Sequence, residues 1–474
     1  MNTQLPVLII GAGPVGLAAA AHVLEHGMTP LVLESSDGPA GNLESYRHVR
    51  LFSPWRYNID QAARRLLEAA GWREPDLEAL PTAGEIVDLY LHPLAALPAL
   101  APHVRFGQRV VQVARAGIDK VRTAGRDAVP FTVRTQGADG EQEWLARAVI
   151  DTSGTWSQPN PLGAAGVPAL GEQALHAHIA HGMPDILGRE RARYAGKRVL
   201  VVGTGHSAAG SLLALAQLAQ QVAGTSIVWA VRGLSAAKTF GGGDLDGLPA
   251  RGALGSNLRR LQQEGRLELH TNFRIHRLQA DSGTISVHSG APGSLAVIAG
   301  VQEIIGATGA RPDLSLAREL RVRLDPWLES TEALAPLIDP NLHSCGTVRP
   351  HGHRELAHPE PGYYTAGAKS YGRAPNFLMA TGYEQVRSIA AALAGDLAAA
   401  DDVQLELPET GVCVTRPLGG SKDDSADCCA PSAAPAAAAC ATACTPAPAT
   451  AAPACASSCA GTPAPEPAAA SCCP

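Results

Sequence analysis

The stretch Val7-Leu8-Ile9-Ile10-Gly11-Ala12-Gly13-Pro14-Val15-Gly16 decides the fold of this chain. Its four leading residues are apolar and mostly β-branched, which predicts a buried parallel strand. Gly11, Gly13 and Gly16 then match G-x-G-x-x-G, in which the first glycine permits a tight turn, the second lets a pyrophosphate approach the backbone, and the third allows close helix packing. The stretch predicts a dinucleotide site that includes Pro14 at the start of the helix.

The residues after this stretch agree with that interpretation. The helix is expected to run to about His26 and to end at Gly27, since glycine commonly follows the last helical residue. Leu31–Leu33 form the second strand, and Glu34 ends it, roughly 20 residues past the glycines, where a carboxylate accepts a ribose 2′-hydroxyl. A chance glycine-rich turn is the alternative, but the strand, the helix and the acid in register favour a dinucleotide site.

A second unit of the same kind starts at Lys197–Val202, which is predicted to be a strand. The segment after it has the pattern G-x-G-x-x-A, with Gly203, Gly205, Ser207 and Ala208 as candidate cofactor-binding residues. The next predicted strand, Ser226–Val231, is followed by Arg232 rather than by an acid. An arginine accommodates a 2′-phosphate that a carboxylate would repel, so this unit is expected to bind NADPH. The alternative is an ordinary surface arginine.

Several further elements can be placed from local signals. A helix over 61–70 is capped by Asp60, and Thr82 with Glu85 forms a capping box for another helix. Three alternating segments are expected to form one small sheet: Val104–Val113, Phe131–Thr135 and Glu143–Ile150.

The C-terminal part of the body is predicted to contain a short strand and a helix. The strand over 362–367 closes on Gly367, and a helix then runs from Ala380 to about Gly395. Thr381 lies in the first turn of this helix. A helix N-terminus suits a polar flavin edge or a phosphate, so Gly367 and Thr381 are also candidate cofactor-binding residues.

Composition narrows the classes of function. The chain has 474 residues and a formal net charge of -6, which gives no reason to expect nucleic acid or an anionic membrane as a partner. Neither a signal peptide nor an apolar run long enough to span a membrane is recognisable. Nine of the ten cysteines lie at or after Cys413, which leaves Cys345 alone in the body. We expect a cytoplasmic protein with reduced thiols.

The composition changes from about Leu418. Residues 431–474 are mostly Ala, Pro, Ser, Thr and Cys, which cannot bury a core and predicts disorder. Cys428-Cys429 and Cys472-Cys473 are vicinal pairs, and thiolates select soft ions, so these four residues are candidate ligands of a soft metal or metalloid. A low-complexity extension without a ligand is the alternative.

Two dinucleotide units and a returning C-terminal segment resemble the flavoproteins with two dinucleotide-binding domains, most of all the flavin-containing monooxygenases. The resemblance covers roughly residues 5–400. It is carried by the two glycine motifs and by the linker motifs Thr152-Ser153-Gly154 and Ala307-Thr308-Gly309. It implies an α/β fold with two Rossmann-like domains, the FAD domain being interrupted by the NADPH domain. The chain lacks the C-x-x-C of the dithiol relatives, and Gly367-Ala368-Lys369 stands where those relatives have Gly-Asp.

The resemblance implies an FAD-binding domain of residues 1–160 and 310–400, an NADPH-binding domain of 161–309, and a linker and Cys-rich tail of 401–474. It also implies an enzyme that oxidises NADPH and uses O2 to oxygenate a small soft nucleophile or carbonyl compound through a C4a-hydroperoxyflavin. Because the cofactor carries such chemistry, the absence of a recognisable catalytic triad is expected. Two alternatives stay open: an NADPH oxidase or reductase without oxygenation, and a flavoprotein whose Cys-rich tail handles soft metals or metalloids.

Overall fold

The computed structural model describes residues 4–241, 249–290, 295–343 and 348–405. The chain divides into two units, Met1–Cys428 and Cys429–Pro474, and all described residues belong to the first. The tail lies outside the described residues, and with it the four candidate metal ligands Cys428, Cys429, Cys472 and Cys473.

The described residues contain sixteen strands. In chain order they are β1 Val7–Ile10, β2 Pro30–Leu33, β3 Val104–Arg105, β4 Arg109–Arg115, β5 Phe131–Gly137, β6 Gly140–Ala146, β7 Ala148–Asp151, β8 Ile179–His181, β9 Arg198–Val202, β10 Ser226–Ala230, β11 Glu268–His270, β12 Ile275–Asp281, β13 Thr284–Ser289, β14 Val297–Val301, β15 Glu303–Gly306 and β16 Tyr363–Thr365.

The α-helices are interspersed with these strands. In chain order they are α1 Pro14–Glu25, α2 Gly41–Glu44, α3 Gln61–Ala69, α4 Ala83–Ile86, α5 His92–Ala95, α6 Arg191–Tyr194, α7 His206–Gln221, α8 Pro249–Gln263, α9 Ala335–Ile338, α10 His353–Leu356, α11 Met379–Ala394 and α12 Leu397–Asp401. A π-helical segment, Val87–Leu91, joins α4 to α5. The predicted caps are present, since Asp60 accepts the N–H of Ala63 and Thr82 forms its capping box with Glu85.

The first sheet is parallel throughout and has the strand order β16-β7-β1-β2-β3. Successive residues of β1 point to opposite faces. Val7 and Ile9 pack against the cluster that contains α1 and α11, whereas Leu8 and Ile10 pack against the antiparallel sheet β4-β5-β6. Both faces of the sheet are therefore covered, which explains why β1 reads as an uninterrupted apolar run.

The second sheet repeats this design. It has the order β11-β10-β9-β15-β8 and is also parallel. Val199 and Val201 of β9 pack against α7 and α8, whereas Leu200 and Val202 pack against the antiparallel sheet β12-β13-β14. The whole unit is inserted between β7 and β16 of the first sheet. The predicted α/β fold with two Rossmann-like domains, one interrupting the other, is thus confirmed.

The prediction of one small sheet was wrong in part. Val104 starts β3, which joins the first sheet, and the segment 143–150 breaks at Arg147 into the end of β6 and the start of β7. Apolar alternation indicates a half-buried strand but does not identify its partner strand. The prediction therefore assigned residues of two different sheets to one sheet. Strands β8, β12 and β14 were not predicted.

Two chain crossings connect the domains, near Asn160 and near Thr308. Thr308 Oγ1 donates to the carbonyl oxygen of Asn160 over 2.6 Å, and Arg311 Nε donates to Asn160 Oδ1 over 2.8 Å. The crossings are therefore fastened to each other. Within the part of the chain that the structure describes, no helix has both the length and the apolar character required to cross a bilayer.

Candidate functional site

A cavity of about 1040 Å³ opens at the carboxyl edge of the first sheet and extends to the start of α7 in the second domain. Residues after β1, β2 and β7 line it on one side. Ligands of open α/β sheets bind at such edges, where the connections diverge to opposite faces. Six of the predicted site residues lie on this cavity: Gly11, Gly13, Pro14, Glu34, Ser207 and Gly367.

The three glycines of the first loop have different surroundings. Gly11 has a φ of +99°, a left-handed conformation that favours glycine. A Cβ on Gly13 would meet no heavy atom within 4 Å, so the backbone there is open to the cavity. A Cβ on Gly16 would overlap the carbonyl oxygen of Gly11 and lie 2.8 Å from Thr152 Oγ1. Gly16 therefore allows α1 to pack against the loop.

Glu34 joins the glycine loop to the loop after β2. Its Oε2 accepts the N–H of Ala12 over 2.7 Å, and its Oε1 accepts the N–H and the hydroxyl of Ser36, each over 2.8 Å. The side chain borders the cavity although the residue is buried. The structure thus holds a carboxylate, a hydrogen-bond acceptor, beside the open backbone of Gly13.

A buried ion pair lies below the cavity at the end of β7. Lys369 Nζ donates to Asp151 Oδ2 over 2.6 Å and to Ser153 Oγ over 3.0 Å. The hydroxyl of Tyr363 donates to the same Asp151 oxygen over 3.2 Å, and burial raises the pKa of Tyr363. Since Ser153 lines the cavity, this cluster fixes part of the cavity floor. The lysine comes from the Gly367-Ala368-Lys369 segment, and no local sequence pattern identifies Asp151 as its partner.

Gly367 and Thr381, the two candidates from the C-terminal part, have different positions. Gly367 lines the cavity with a φ of +68°, and its N–H donates to Gln385 Oε1 over 2.7 Å. Thr381 is buried in the first turn of α11 and is not among the residues that line the cavity. Leu378, the N-cap residue of α11, and Met379, its first residue, line the cavity instead.

The second glycine motif reaches the cavity through its last residues. Gly203 has a φ of +135°, and a Cβ there would overlap the carbonyl oxygen of Ala307, whereas a Cβ on Gly205 would meet nothing within 4 Å. His206 and Ser207 line the cavity, and the His206 ring lies 5.3 Å from that of Phe52 in the first domain. The two domains thus meet over the start of α7.

The other candidates of the second motif lie away from the cavity lining. Ala208 is fully buried in the core against β9. Arg232 is exposed two residues after β10, not at the strand end as predicted, and no ion pair to it occurs among the described residues. Its guanidinium is therefore available to an anion at the edge of the second sheet.

An aromatic pair that was not predicted forms another wall. The rings of Tyr46 and Trp156 are 4.7 Å apart, and the indole N–H of Trp156 donates to Ser45 Oγ over 2.8 Å. Both rings line the cavity. Burial raises the pKa of Tyr46 to about 12, so this phenol stays neutral. Isolated aromatic residues in loops give no sequence signal for such a wall.

Among the described residues, one group of possible metal ligands lies close together. It consists of Glu44, Asp88 and His92, at the surface. Both carboxylates of this cluster already accept hydrogen bonds from Arg47, over 2.7 and 2.6 Å. The cluster is therefore explained by an ion-pair network.

Most of the chain matches a known protein family. The family model of "Pyridine nucleotide-disulphide oxidoreductase" matches residues 8–346. The chain is 30% identical over 213 residues to indole-3-pyruvate monooxygenase YUCCA1 of Oryza sativa subsp. japonica, covering 44% of each chain. The chain thus spans less than half the length of this curated relative.

Two solved structures share the fold. Bacillithiol disulfide reductase from Bacillus cereus superimposes with a TM-score of 0.61 at 18% identity, over 82% of this chain and 99% of that one. The cadaverine monooxygenase DfoA from Erwinia amylovora, which is bound to FAD, gives 0.57 at 14% identity, over 89% and 100%. Because the family model covers most of the chain, we conclude that this protein belongs to the pyridine nucleotide-disulphide oxidoreductase family and is an oxidoreductase.

Proposed function

We propose that this protein oxygenates a small organic molecule with O2 at the expense of NADPH. The main support for this proposal is that both glycine-rich motifs reach one cavity. Gly11 and Gly13 line it on one side, and His206 and Ser207 line it on the other. A nicotinamide and a flavin bound by these turns would meet inside it. The balanced reaction converts NADPH, a proton, O2 and the substrate to NADP+, water and the oxygenated product.

The first domain, residues 1–160 and 310–400, is assigned to FAD. Gly11, Gly13, Pro14 and Gly16 would hold the pyrophosphate at the start of α1, since the first amides of a helix bind anions. Glu34 would accept a ribose hydroxyl. Gly367 and Met379, the first residue of α11, would face the flavin, whereas Thr381, which does not line the cavity, would contribute only through the packing of this helix turn. FAD supplies the redox and oxygen chemistry, whereas these residues bind and orient it.

The second domain, residues 161–309, is assigned to NADPH. Gly203, Gly205, Ser207 and Ala208 form the turn and first helical residues that would bind its pyrophosphate. Arg232 would pair with the 2′-phosphate, because a guanidinium binds phosphate with parallel hydrogen bonds. The absence of a C-x-x-C pair from the sequence, and the monooxygenases among the relatives, favour oxygenation over dithiol reduction.

One experiment separates oxygenation from an oxidase. The purified holoenzyme is given NADPH and O2 with thioanisole, with acetophenone, or with neither, and NADPH, hydrogen peroxide and products are quantified. We expect oxygenated product in an amount comparable to the NADPH consumed, with a transient C4a-hydroperoxyflavin absorbance in stopped-flow mixing. Peroxide equal to the NADPH consumed under every condition, with no transient, would establish the alternative without oxygenation.

The assignment of Arg232 has its own test. The Arg232→Ala variant should lose the preference of flavin reduction for NADPH over NADH, a difference of roughly 10- to 100-fold, because a charged hydrogen-bonded pair contributes about 1.5–3 kcal/mol. Stopped-flow rates of flavin reduction with both nucleotides measure it, and the exposed Arg277 of β12, changed to Ala, is the matched control. Equal rates with both nucleotides in the wild type would contradict the assignment.

The proposal also includes a cytoplasmic location, which rests on the sequence alone. A soft metal or metalloid at Cys428, Cys429, Cys472 and Cys473 is likewise proposed from the sequence alone.

A further inference from the structure

The cavity does not stop at the first turn of α7. Along this helix it is lined by His206, Ser207, Gly210, Ser211 and Ala214, whose spacing places them on one helix face. Ala214 is eight residues beyond His206, which corresponds to about 12 Å along the helix axis. The cavity therefore continues along the flank of α7.

This extension is deeper than the contact that a dinucleotide makes with such a helix. The pyrophosphate binds to the free amides of the first helical turn, and the amides of later turns are already hydrogen-bonded within the helix. The part of the cavity lined by Met183, Ile186, Gly210, Ser211, Ala214 and Leu254 is here named the α7 branch. Ile186, Ala214 and Leu254 belong to one apolar cluster, so the walls of the branch are mainly hydrocarbon.

Ser211 is the polar group of this branch. The residue is only 4% exposed and lines the cavity, yet its hydroxyl has no hydrogen bond to any described residue. Ser388, which is equally buried in α11, differs: its hydroxyl donates to the Ala400 carbonyl oxygen over 2.7 Å and accepts the His353 N–H over 2.9 Å. The Ser211 hydroxyl instead faces the cavity without a partner among the described residues, so it can form a hydrogen bond with a ligand group.

Gly210 keeps the branch open. Glycine is unfavourable inside a helix, and a packing contact usually explains its presence. At Gly382 of α11 such a contact exists, because a Cβ would lie 2.6 Å from Val15 and 2.8 Å from Phe377. At Gly210 a Cβ would meet no heavy atom within 4 Å. The missing side chain thus leaves free volume rather than room for a neighbouring residue.

We propose that the α7 branch binds the organic substrate, and that this substrate is a small uncharged molecule with an apolar body and one hydrogen-bonding atom directed to Ser211. The inference rests on the proposed function, since the branch opens into the cavity assigned to the two cofactors. Arg251 and Asp185, which line the cavity close in sequence to Leu254 and Ile186, carry opposite formal charges, so together they do not favour a charged ligand of either sign.

The test uses the FAD-loaded full chain and three probes: thioanisole and acetophenone, which are neutral, and phenylacetate, which is charged. Dissociation constants are obtained from changes in flavin absorbance. The wild type should bind both neutral probes more tightly than phenylacetate. Gly210→Leu should weaken both neutral probes by about tenfold or more, because the new side chain fills the branch. Ser211→Ala should weaken acetophenone by about fivefold and thioanisole less, since only the ketone oxygen accepts a strong hydrogen bond.

Gln217→Leu is the matched control, because Gln217 lies exposed on the same helix outside the cavity. It should leave probe binding, FAD content and flavin reduction unchanged. Tighter binding of phenylacetate by the wild type would overturn the substrate class. Neutral probes that do not bind, or that bind Gly210→Leu as tightly as the wild type, would overturn the site. Loss of NADPH-driven flavin reduction in Gly210→Leu in proportion to the loss of probe binding would assign the branch to the nicotinamide instead.

Failure of this inference can be told apart from failure of the proposed function. If the enzyme oxygenates thioanisole and Gly210→Leu does not weaken probe binding, the proposed function stands and the α7 branch is not the substrate site. If Gly210→Leu and Ser211→Ala weaken probe binding but the enzyme forms only hydrogen peroxide, the α7 branch stands as a binding site and the proposed oxygenation is wrong.

Discussion

Gly13 and Gly16 lie three residues apart, but a side chain at each would have a different effect. Gly13→Val places its side chain in the open cavity, so the protein should fold and lose FAD. Gly16→Val forces a side chain into the Gly11 carbonyl and Thr152, so the fold itself should be destabilised by about 1–3 kcal/mol or more, as for overpacked cores. FAD content by absorbance and thermal unfolding of the apoprotein measure the two effects.

The FAD-free forms of the wild type and Gly13→Val provide the control, since they should unfold at the same temperature. If Gly13→Val retains stoichiometric FAD, the first loop does not bind the pyrophosphate. If Gly16→Val apoprotein is as stable as the wild type, the close packing of α1 on the loop is not required.

The ion pair of Lys369 and Asp151 predicts a stability effect of its own. Both side chains are almost fully buried. Lys369→Met leaves an unpaired carboxylate inside the protein, which should lower the free energy of unfolding by about 3–5 kcal/mol. The double variant Asp151→Asn/Lys369→Met removes both charges and should recover most of this loss. Urea denaturation of the wild type, Asp151→Asn, Lys369→Met and the double variant measures the coupling, and a double variant less stable than Lys369→Met would contradict the charge argument.

At the scale of elements, the sequence predicted the parallel units better than the sheets beside them. The strands β1, β2, β9 and β10 and the helices α1, α7 and α11 were found because apolar runs, glycines and caps occur next to one another in the chain. The break at Arg147 was missed since Ala146 and Ala148 both continue the apolar pattern, although they belong to different sheets. Partner choice depends on distant residues, which local periodicity does not contain.

A buried histidine, His358, packs beside the edge strand β16 and has a pH-dependent consequence for stability. His358 packs 5.6 Å from the Tyr363 ring, and its Nδ1 accepts the N–H of Arg323 over 3.2 Å. Burial lowers the pKa of His358 to about 4. In the unfolded chain a histidine takes up a proton near pH 6.5, so below that pH only the unfolded state gains it. The free energy of unfolding should therefore fall as the pH falls from about 7 to about 4, by up to about 3 kcal/mol.

His358→Gln keeps hydrogen-bonding atoms but does not titrate, so its unfolding free energy should depend less steeply on pH in this window. Burial also lowers the pKa of His351, so part of the slope should remain in this variant. Urea denaturation between pH 7 and pH 4.5 measures the difference. Parallel pH profiles of the wild type and His358→Gln would show that His358 is protonated equally in both states.

At the scale of the whole molecule, the sequence predicted those parts of the candidate site in which a glycine motif directly follows a parallel strand. Gly13, Glu34 and Ser207 reach the cavity because glycine motifs follow parallel strands, and the carboxyl ends of such strands share one edge. Gly210 and Ser211 gave no such signal, since they lie within an alanine- and leucine-rich helix whose cavity-facing side is set by the packing of two domains. A glycine inside a predicted helix was the one local sign, and it does not distinguish packing from a binding cavity.

Truncation tests whether the cofactor site is independent of the tail. The cavity-lining residues lie between Ile10 and Met379, and α12 is fastened by Arg387, whose guanidinium donates to the carbonyl oxygens of Ala399 and Asp402. A chain ending at Gly419 should therefore keep its FAD content and its NADPH oxidation.

The truncated chain also loses Cys428, Cys429, Cys472 and Cys473 with four further tail cysteines, while Cys345 and Cys413 stay. Because thiolates bind soft ions, arsenite or Zn²⁺ should protect more thiols from alkylation in the full chain than in the truncated one. Equal numbers of protected thiols would show that the tail does not bind these ions, and loss of FAD on truncation would show that the site needs residues beyond Gly419.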